Sequence, residues 1–358
     1  MDSIYHQVLK ELRLGSRLVL ATVIRTARST PQKPGSAALF GESGLLSGTV
    51  GGGQLEGEID HIARSVLISG VSDHYYFNLN NKQDEEGPIC GGEALVLVDA
   101  NPVTHIKSLE AMEKSLLNRC SGYLLTEVGG RRENGRSVKR HWIVPEDQST
   151  FPPDLDATTK DTLVTLLNKP SGPSFLALDP EEPIMETDEM IYLEYMKPLP
   201  RLIIAGGGHV GKALAHLGAL LDFEVTVYDD RPEFANKAHI PDATKCFVED
   251  IGAAMRALSA GDDTYIVIVT RGHQHDAEAL IPCIGSKAAY VGMIGSKNKV
   301  KLMERHFLSE GLATPEQWSG IHAPIGLPIG SKSVQEIAVS IAAELVSIRS
   351  QHNQKNDG

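Results

Sequence analysis

Two stretches of the chain put glycine where backbone, not side chains, would meet a ligand: "GTVGGGQLEGEI" (48–59) and "RLIIAGGGHVGKAL" (201–214). In the second, Gly206, Gly208 and Gly211 spell G-x-G-x-x-G, with His209 inside the turn. The pattern follows an apolar run, opens a helix-like run and precedes a second apolar run ending in Asp229 and Asp230. That layout is a dinucleotide-binding fingerprint. In such a turn the first glycine permits the bend, the second lets backbone approach a pyrophosphate, and the third lets helix and strand pack closely. The helix N-terminus then offers free N–H groups and a partial positive charge to the anion. Asp229 is the candidate ribose ligand. A Rossmann domain recruited to hold another molecule would satisfy the same pattern.

Gly51, Gly52 and Gly53 stand in the same relation to a strand and a helix. Three glycines in a row cost backbone entropy on folding, so a function or a packing constraint is expected there. Either the backbone meets an anionic or flat ligand, or the turn has no room for larger residues. Glu56 and Glu58 favour the helix start but oppose a phosphate, and Lys33 could compensate. Cys90, flanked by glycines in "GPICGG", is open enough for its thiolate to ligate a soft metal; a small buried hydrophobe is the alternative. "TRGHQHDAEAL" places Arg271, His273, His275 and Asp276 directly after an apolar strand, where ligands bind in open α/β sheets. His273, His275 and Asp276 are candidate metal ligands; the same residues could simply cap a helix. Ser296 and Lys297 follow the next strand.

The elements that must position these groups are legible in the hydrophobic pattern. A short amphipathic helix is predicted at 3–14, a strand at 17–26, a loop at 27–36, and a hairpin around "GESG". Leu55, Ile59, Ile62, Ala63, Val66 and Leu67 mark a helix after the triple glycine, and another is predicted at 104–118. Residues 121–198 alternate short strand-like runs with prolines and carry the weakest pattern. Pro198 and Pro200 mark a linker. Beyond it, strands that are apolar throughout alternate with helices, which indicates a parallel sheet buried on both faces. The stripe Val334, Ile337, Ala338, Ile341, Ala342, Leu345 and Ile348 marks a final helix. The expected fold is α/β: an N-terminal mixed α/β domain over 1–196, a Rossmann-like C-terminal domain over 197–350, and a polar tail at 351–358.

At 358 residues, 41% hydrophobic and 22% charged, the composition is that of a globular two-domain protein. A net charge of −12 opposes nucleic-acid binding. The N-terminus has no apolar signal core, and no apolar run approaches the length of a membrane span. Cys90, Cys120, Cys246 and Cys283 are scattered, with no C-x-x-C pair, which points to a reducing, cytoplasmic setting. The last three read as packing residues. A homodimer is the default expectation.

Eight motifs in order carry a resemblance: "STPQKPGS", "LSGTVGGGQLEGEI", "GPICGGEALV", "LIIAGGGHVGKAL", "VTVYDDRPEFA", "VTRGHQHD", "YVGMIGSKNK" and "HAPIGLPIGSKSVQEIAVSIAAEL". Together they resemble the XdhC/CoxI family, accessory factors of xanthine dehydrogenase and related molybdenum hydroxylases. The resemblance covers most of the chain and is weakest over 100–195. It implies a non-catalytic chaperone that binds molybdenum cofactor (molybdopterin), holds it for sulfuration by a cysteine desulfurase, and inserts it into a xanthine dehydrogenase-like hydroxylase. On this view Cys90 contacts the cofactor, Gly51, Gly52 and Gly53 face it, and Gly206, Gly208, His209 and Gly211 form a nucleotide-type turn. Gln32 stands where relatives often carry arginine. Both glycine turns are expected to line one ligand cleft. The alternative is an NAD(P)-dependent oxidoreductase using the C-terminal domain, with His273 or His275 as proton donor.

Overall fold

Residues 17–26 carry the β-branched and apolar side chains that a half-buried pleated surface accepts. In the computed structural model, which describes residues 4–79, 92–167, 174–177 and 188–356, they form the centre of the first of three sheets. The chain divides into two compact units, Asp2–Pro198 and Leu199–Gly358.

The N-terminal unit runs α1 (Ile4–Arg13), β1 (Val19–Ala27), β2 (Ala37–Gly41), β3 (Gly44–Gly48), α2 (Gly53–Ser69), β4 (Asp73–Asn78), β5 (Glu93–Asp99), α3 (Ile106–Leu117), β6 (Gly122–Val128), β7 (Val138–Ile143), α4 (Ala157–Leu167), β8 (Ser174–Ala177) and β9 (Met190–Met196). Its strands form two antiparallel sheets, ordered β3-β2-β1-β5-β4 and β7-β6-β9-β8. The weakly patterned stretch 121–198 is thus the second sheet and its helix. Alternation sorts the side chains of β1. Val19, Ala21 and Val23 meet Leu55, Ile59, Ala63 and Val66 of α2, while Leu20, with Leu18 just before the strand, meets Tyr5, Val8 and Leu9 of α1 and Leu109 and Met112 of α3. Ile24, Leu95 and Leu97 pack on Val128, Met190 and Tyr192 of the second sheet, whose far face is covered by Leu163 and Leu167 of α4.

The C-terminal unit runs β10 (Arg201–Ala205), α5 (His209–Leu220), β11 (Glu224–Asp229), β12 (Lys245–Val248), α6 (Ile251–Ala257), β13 (Thr264–Ile268), α7 (His273–Leu280), β14 (Tyr290–Met293), α8 (Lys297–Ser309), α9 (Pro315–Ser319) and α10 (Val334–Asn356). The strands form one parallel sheet in the order β12-β11-β10-β13-β14. Leu202 and Ile204 of β10 face α5 and α10; Ile203 and Ala205 face the side covered by α6, α7 and α8. Burial on both faces explains the uninterrupted apolar runs. Residues 351–356, expected as a tail, continue α10. The 322–333 motif is tied to that helix by Glu344, which accepts from Tyr290 Oη, lies 3.2 Å from His322 Nδ1, and accepts from the Gly326 amide at 2.8 Å. Among the described residues no helix is long and apolar enough to cross a membrane.

Buried polar contacts join the two N-terminal sheets to each other and the second sheet to α1. Arg140 on β7 donates to Asp99 at the end of β5, His105 Nε2 lies 3.3 Å from the same carboxylate, and Tyr5 on α1 donates to Glu194 on β9. Arg140, Asp99, His105 and Glu194 are all buried. Burial alone would raise the Asp99 carboxyl, but Arg140 and His105 outweigh it and hold it well below the usual range. For Glu194 burial wins, pushing it up from 4.5 to about 7 against the Tyr5 hydrogen bond and the Arg140 charge. An acid raised in the folded state stabilises fully below its unfolded value, and the contribution is lost as pH rises through the folded value. Denaturant midpoints should therefore fall between pH 5 and pH 8 (on the order of 1–3 kcal/mol), and Glu194→Gln should flatten that dependence. A fall of the same size in the variant would remove Glu194 as its cause.

Candidate functional site

The parallel sheet reverses its strand order between β10 and β13, and a cleft of about 380 Å³ opens at their C-terminal ends. This is the topological switch point where open α/β sheets bind ligands, and the volume is within the range of small-molecule sites (~300–1,000 Å³). Gly206, Gly208 and His209 line it from the first turn, Asp229, Asp230 and Arg231 from the end of β11, and Thr270, Arg271 and His275 from beyond β13. Val210, Ile251, Val269, Ile294 and Val334 supply apolar wall.

Backbone clearance builds the turn. A Cβ on Gly206, where φ is +117°, would stand 2.5 Å from the Val269 carbonyl oxygen. A Cβ on Gly207 would stand 2.5 Å from the Phe234 oxygen, and one on Gly211 only 1.9 Å from the Gly206 oxygen. Gly208, which caps α5, differs: its φ is −65°, and nothing lies within 4 Å of the position a Cβ would take. Its free side faces the cleft. His209 follows it, exposed.

Asp229, the predicted ribose ligand, reaches the cleft but is saturated by protein donors. Oδ2 accepts from the Gly207 amide at 2.8 Å and Arg231 Nη2 at 3.0 Å; Oδ1 accepts from the Arg231 amide at 3.0 Å and Arg231 Nε at 2.9 Å. Burial would raise this carboxyl, but those bonds bring it below its ordinary value. The bond to Asp229 correspondingly raises Arg231. Asp230 is paired with Arg271 at 2.7 Å.

Of the three predicted metal ligands, the structure places Asp276 fully buried beneath the loop after β13. It accepts from Thr270 N at 3.2 Å, from Thr270 Oγ1 at 2.6 Å, and from Lys299 Nζ. Its carboxylate thereby joins the β13 loop to α8. His275 lines the cleft with Nδ1 3.7 Å from Glu278 Oε2. His273 opens α7, and its side chain lies outside the described residues. Among the described residues, no group of three or more His, Cys, Asp or Glu side chains is arranged to hold a metal. Ser296 caps α8, accepting from the Lys299 amide at 3.3 Å.

The N-terminal turn is built differently. Gly51, Gly52 and Gly53 all have positive φ (+142°, +69° and +55°), and nothing approaches a Cβ position on Gly52 or Gly53. Conformation, not clearance, selects glycine there. Glu56 turns back onto its own helix start: it accepts from the Gly52 amide at 3.3 Å and from Thr49 Oγ1 at 2.6 Å. Gly51 borders Pro31 and Gln32 of the preceding loop, and a Cβ on Gly92 would stand 2.3 Å from the Ser29 oxygen. The loop at 29–32, the glycine turn and the start of β5 therefore share one end of the first sheet. Cys90 lies outside the described residues. Of the cysteines read as packing residues, Cys283 is buried, with its thiol pushed up to about 12 by burial, and Cys246 is half-buried. Cys120 is exposed and does not pack a core, because it sits in the turn leaving α3.

Arg231, Phe234 and Lys299 were not singled out in the sequence. The available signal was an arginine directly after a strand-ending acidic pair. For the turn itself, Gly211→Ala should cost about 1–3 kcal/mol in chemical denaturation, as expected for a forced overlap, whereas Gly208→Ala should cost less than about 1 kcal/mol. Equal losses would contradict the clearance account.

Family models match residues in both units of the chain. The XdhC Rossmann domain model matches residues 202–345, and the XdhC and CoxI family model matches residues 12–77. The chain is 37% identical over 151 residues to the uncharacterized protein YqeB of Escherichia coli K12; the match covers 42% of this chain and 27% of YqeB. It is 26% identical over 332 residues to a probable xanthine dehydrogenase subunit of Bacillus subtilis 168, covering 92% and 93% of the two chains. A crystal structure described as a xanthine dehydrogenase from Bacillus halodurans shares the fold, with a TM-score of 0.77 and 23% identity over 98% of this chain and 96% of that one. With an XdhC/CoxI match in its N-terminal unit and an XdhC Rossmann match in its C-terminal unit, the chain belongs to the XdhC/CoxI family.

Proposed function

We propose that this chain is an accessory protein of a xanthine dehydrogenase-like molybdenum hydroxylase. It binds molybdenum cofactor, holds it while a cysteine desulfurase supplies sulfur, and passes it to the hydroxylase. Family membership and the Bacillus subtilis relative, matched along nearly its whole length, support the choice of partner.

The observation that carries the reading is that the 29–32 loop lies between the 51–53 glycine turn and Gly92 at one end of the first sheet. The 29–32 loop borders both Gly51 of the 51–53 turn and Gly92 there. The donor set fits a flat ring better than a bare phosphate. Gly52 and Gly53 present backbone with no side chain in the way, while the Gly52 amide is already taken by Glu56. Cys90, two residues before Gly92, is the thiolate that would contact the cofactor. When bound, the cofactor supplies the molybdenum centre the hydroxylase requires; the chain's own part is to bind, orient and shield it.

A second reading, an NAD(P)-dependent oxidoreductase, is favoured by the cleft at the switch point. It requires steady consumption of NAD(P)H in the presence of an electron acceptor. For the accessory reading, protein mixed with released cofactor should retain pterin fluorescence after oxidation and gel filtration. Cys90→Ala should lower that retention several-fold with a nearly unchanged thermal midpoint. No retention above a control protein would sink the reading, and parallel loss of retention and stability would reassign Cys90 to packing.

A further inference from the structure

We infer that the cleft of the C-terminal unit selects a nucleotide carrying a phosphomonoester on its ribose, such as a 2′-phosphoadenosine, over one with a free ribose diol. The inference goes beyond the cofactor-holding reading and uses none of the N-terminal residues proposed to hold that cofactor.

The first observation is the state of Asp229. A carboxylate has about four lone-pair sites, and Asp229 fills them with the Gly207 amide, the Arg231 amide, Arg231 Nε and Arg231 Nη2. It is 1% exposed. An acid that recognises a ribose does so by accepting from its hydroxyls. Here those sites are closed from within, and a diol could enter only by breaking a bond to Arg231 or to the turn.

The second observation is what this arrangement presents in place of the acid. The guanidinium has five N–H donors. Two of them hold Asp229, and among the described residues no acceptor within hydrogen-bonding distance meets the other three. The guanidinium carbon stands over the Phe234 ring, 3.8 Å from its centroid, and both residues line the cleft. Packing and the fork to Asp229 thus fix a planar cation whose remaining donors are free, the geometry that suits a phosphate. An arginine just past the second strand is also where such sheets accommodate a ribose 2′-phosphate.

The third is the neighbouring charge. Asp230 and Glu233, the other acids near Arg231, oppose a phosphate. Arg271 pairs with Asp230 at 2.7 Å, and Arg231 Nε stands 3.8 Å from the other Asp230 oxygen. Gly208 leaves backbone open at the start of α5 for the rest of the nucleotide.

The test is calorimetric titration of the full chain with 2′,5′-ADP and 5′-AMP, repeated with NADPH and NADH. The phosphorylated member of each pair should bind at least about tenfold more tightly, the order expected for charge-assisted hydrogen bonds, and the gap should narrow with added salt. Arg231→Ala should abolish the gap, by weakening binding of the phosphorylated member of each pair. Because that change strands Asp229 without its ion pair, the double variant Asp229→Asn/Arg231→Ala is measured alongside. Equal affinities, preference for 5′-AMP or NADH (which would make Asp230 a diol acceptor), or no binding of any of the four would overturn the inference. So would a gap that survives in the folded double variant. Pterin retention is a separate readout, so failure here is distinguishable from failure of the cofactor-holding reading.

Discussion

No carbon atom fits between residue 211 and the carbonyl oxygen of residue 206, and the C-terminal unit is organised around that contact. Helix α5 starts where β10 stops because the chain crosses itself there without side chains. The same closeness brings the Val269 carbonyl over Gly206 and the Phe234 carbonyl over Gly207. Three segments distant in sequence meet at one bend, and the cleft is the space left in front of it. Cleft and turn are a single packing solution: a bulkier residue at 206, 207 or 211 would move the wall as well as the helix.

Charge completes what clearance begins. Asp229 uses its buried carboxylate to hold the Gly207 amide and to fix Arg231, and Asp276 holds the loop after β13 to α8 through Thr270 and Lys299. Asp229 ends β11 and Asp276 lies in the first turn of α7, both where the sequence pattern suggests ligand binding. Both serve instead, in this conformation, to position backbone and cations around the cleft. A buried carboxylate left unpaired is costly, and the same carboxylate with its acceptor sites filled locks a loop in place. The N-terminal unit follows the same logic: Arg140 on β7 and His105 just before α3 both meet the Asp99 carboxylate at the end of β5, joining the two sheets.

The two glycine turns look alike in sequence and differ in physical origin. At 206–211 glycine is needed mainly because other backbone is in the way. At 51–53 the space beside the chain is open at two of three positions, and glycine is needed because three successive residues adopt positive φ. The first kind of turn is a product of packing. The second exposes bare backbone to whatever lies outside it, which is why it is the stronger candidate for meeting a flat ligand.

Periodicity and turn chemistry, read without coordinates, were enough to find the Rossmann unit, its strand–turn–helix, the final helix and the amphipathic α2, because each leaves a local pattern of burial along the chain. The motif order was enough to indicate the family. Residues 121–198 were opaque because a four-stranded antiparallel sheet of short strands depends on pairings between β6 and β9, more than sixty residues apart, and local windows do not record them. The roles of Asp229, Arg231 and Asp276 were undecidable for a related reason. Residue type and position bring a carboxylate to the right strand end, but whether it faces a ligand or is consumed by neighbouring donors depends on which distant amides, guanidinium and ammonium groups the fold delivers within hydrogen-bonding distance.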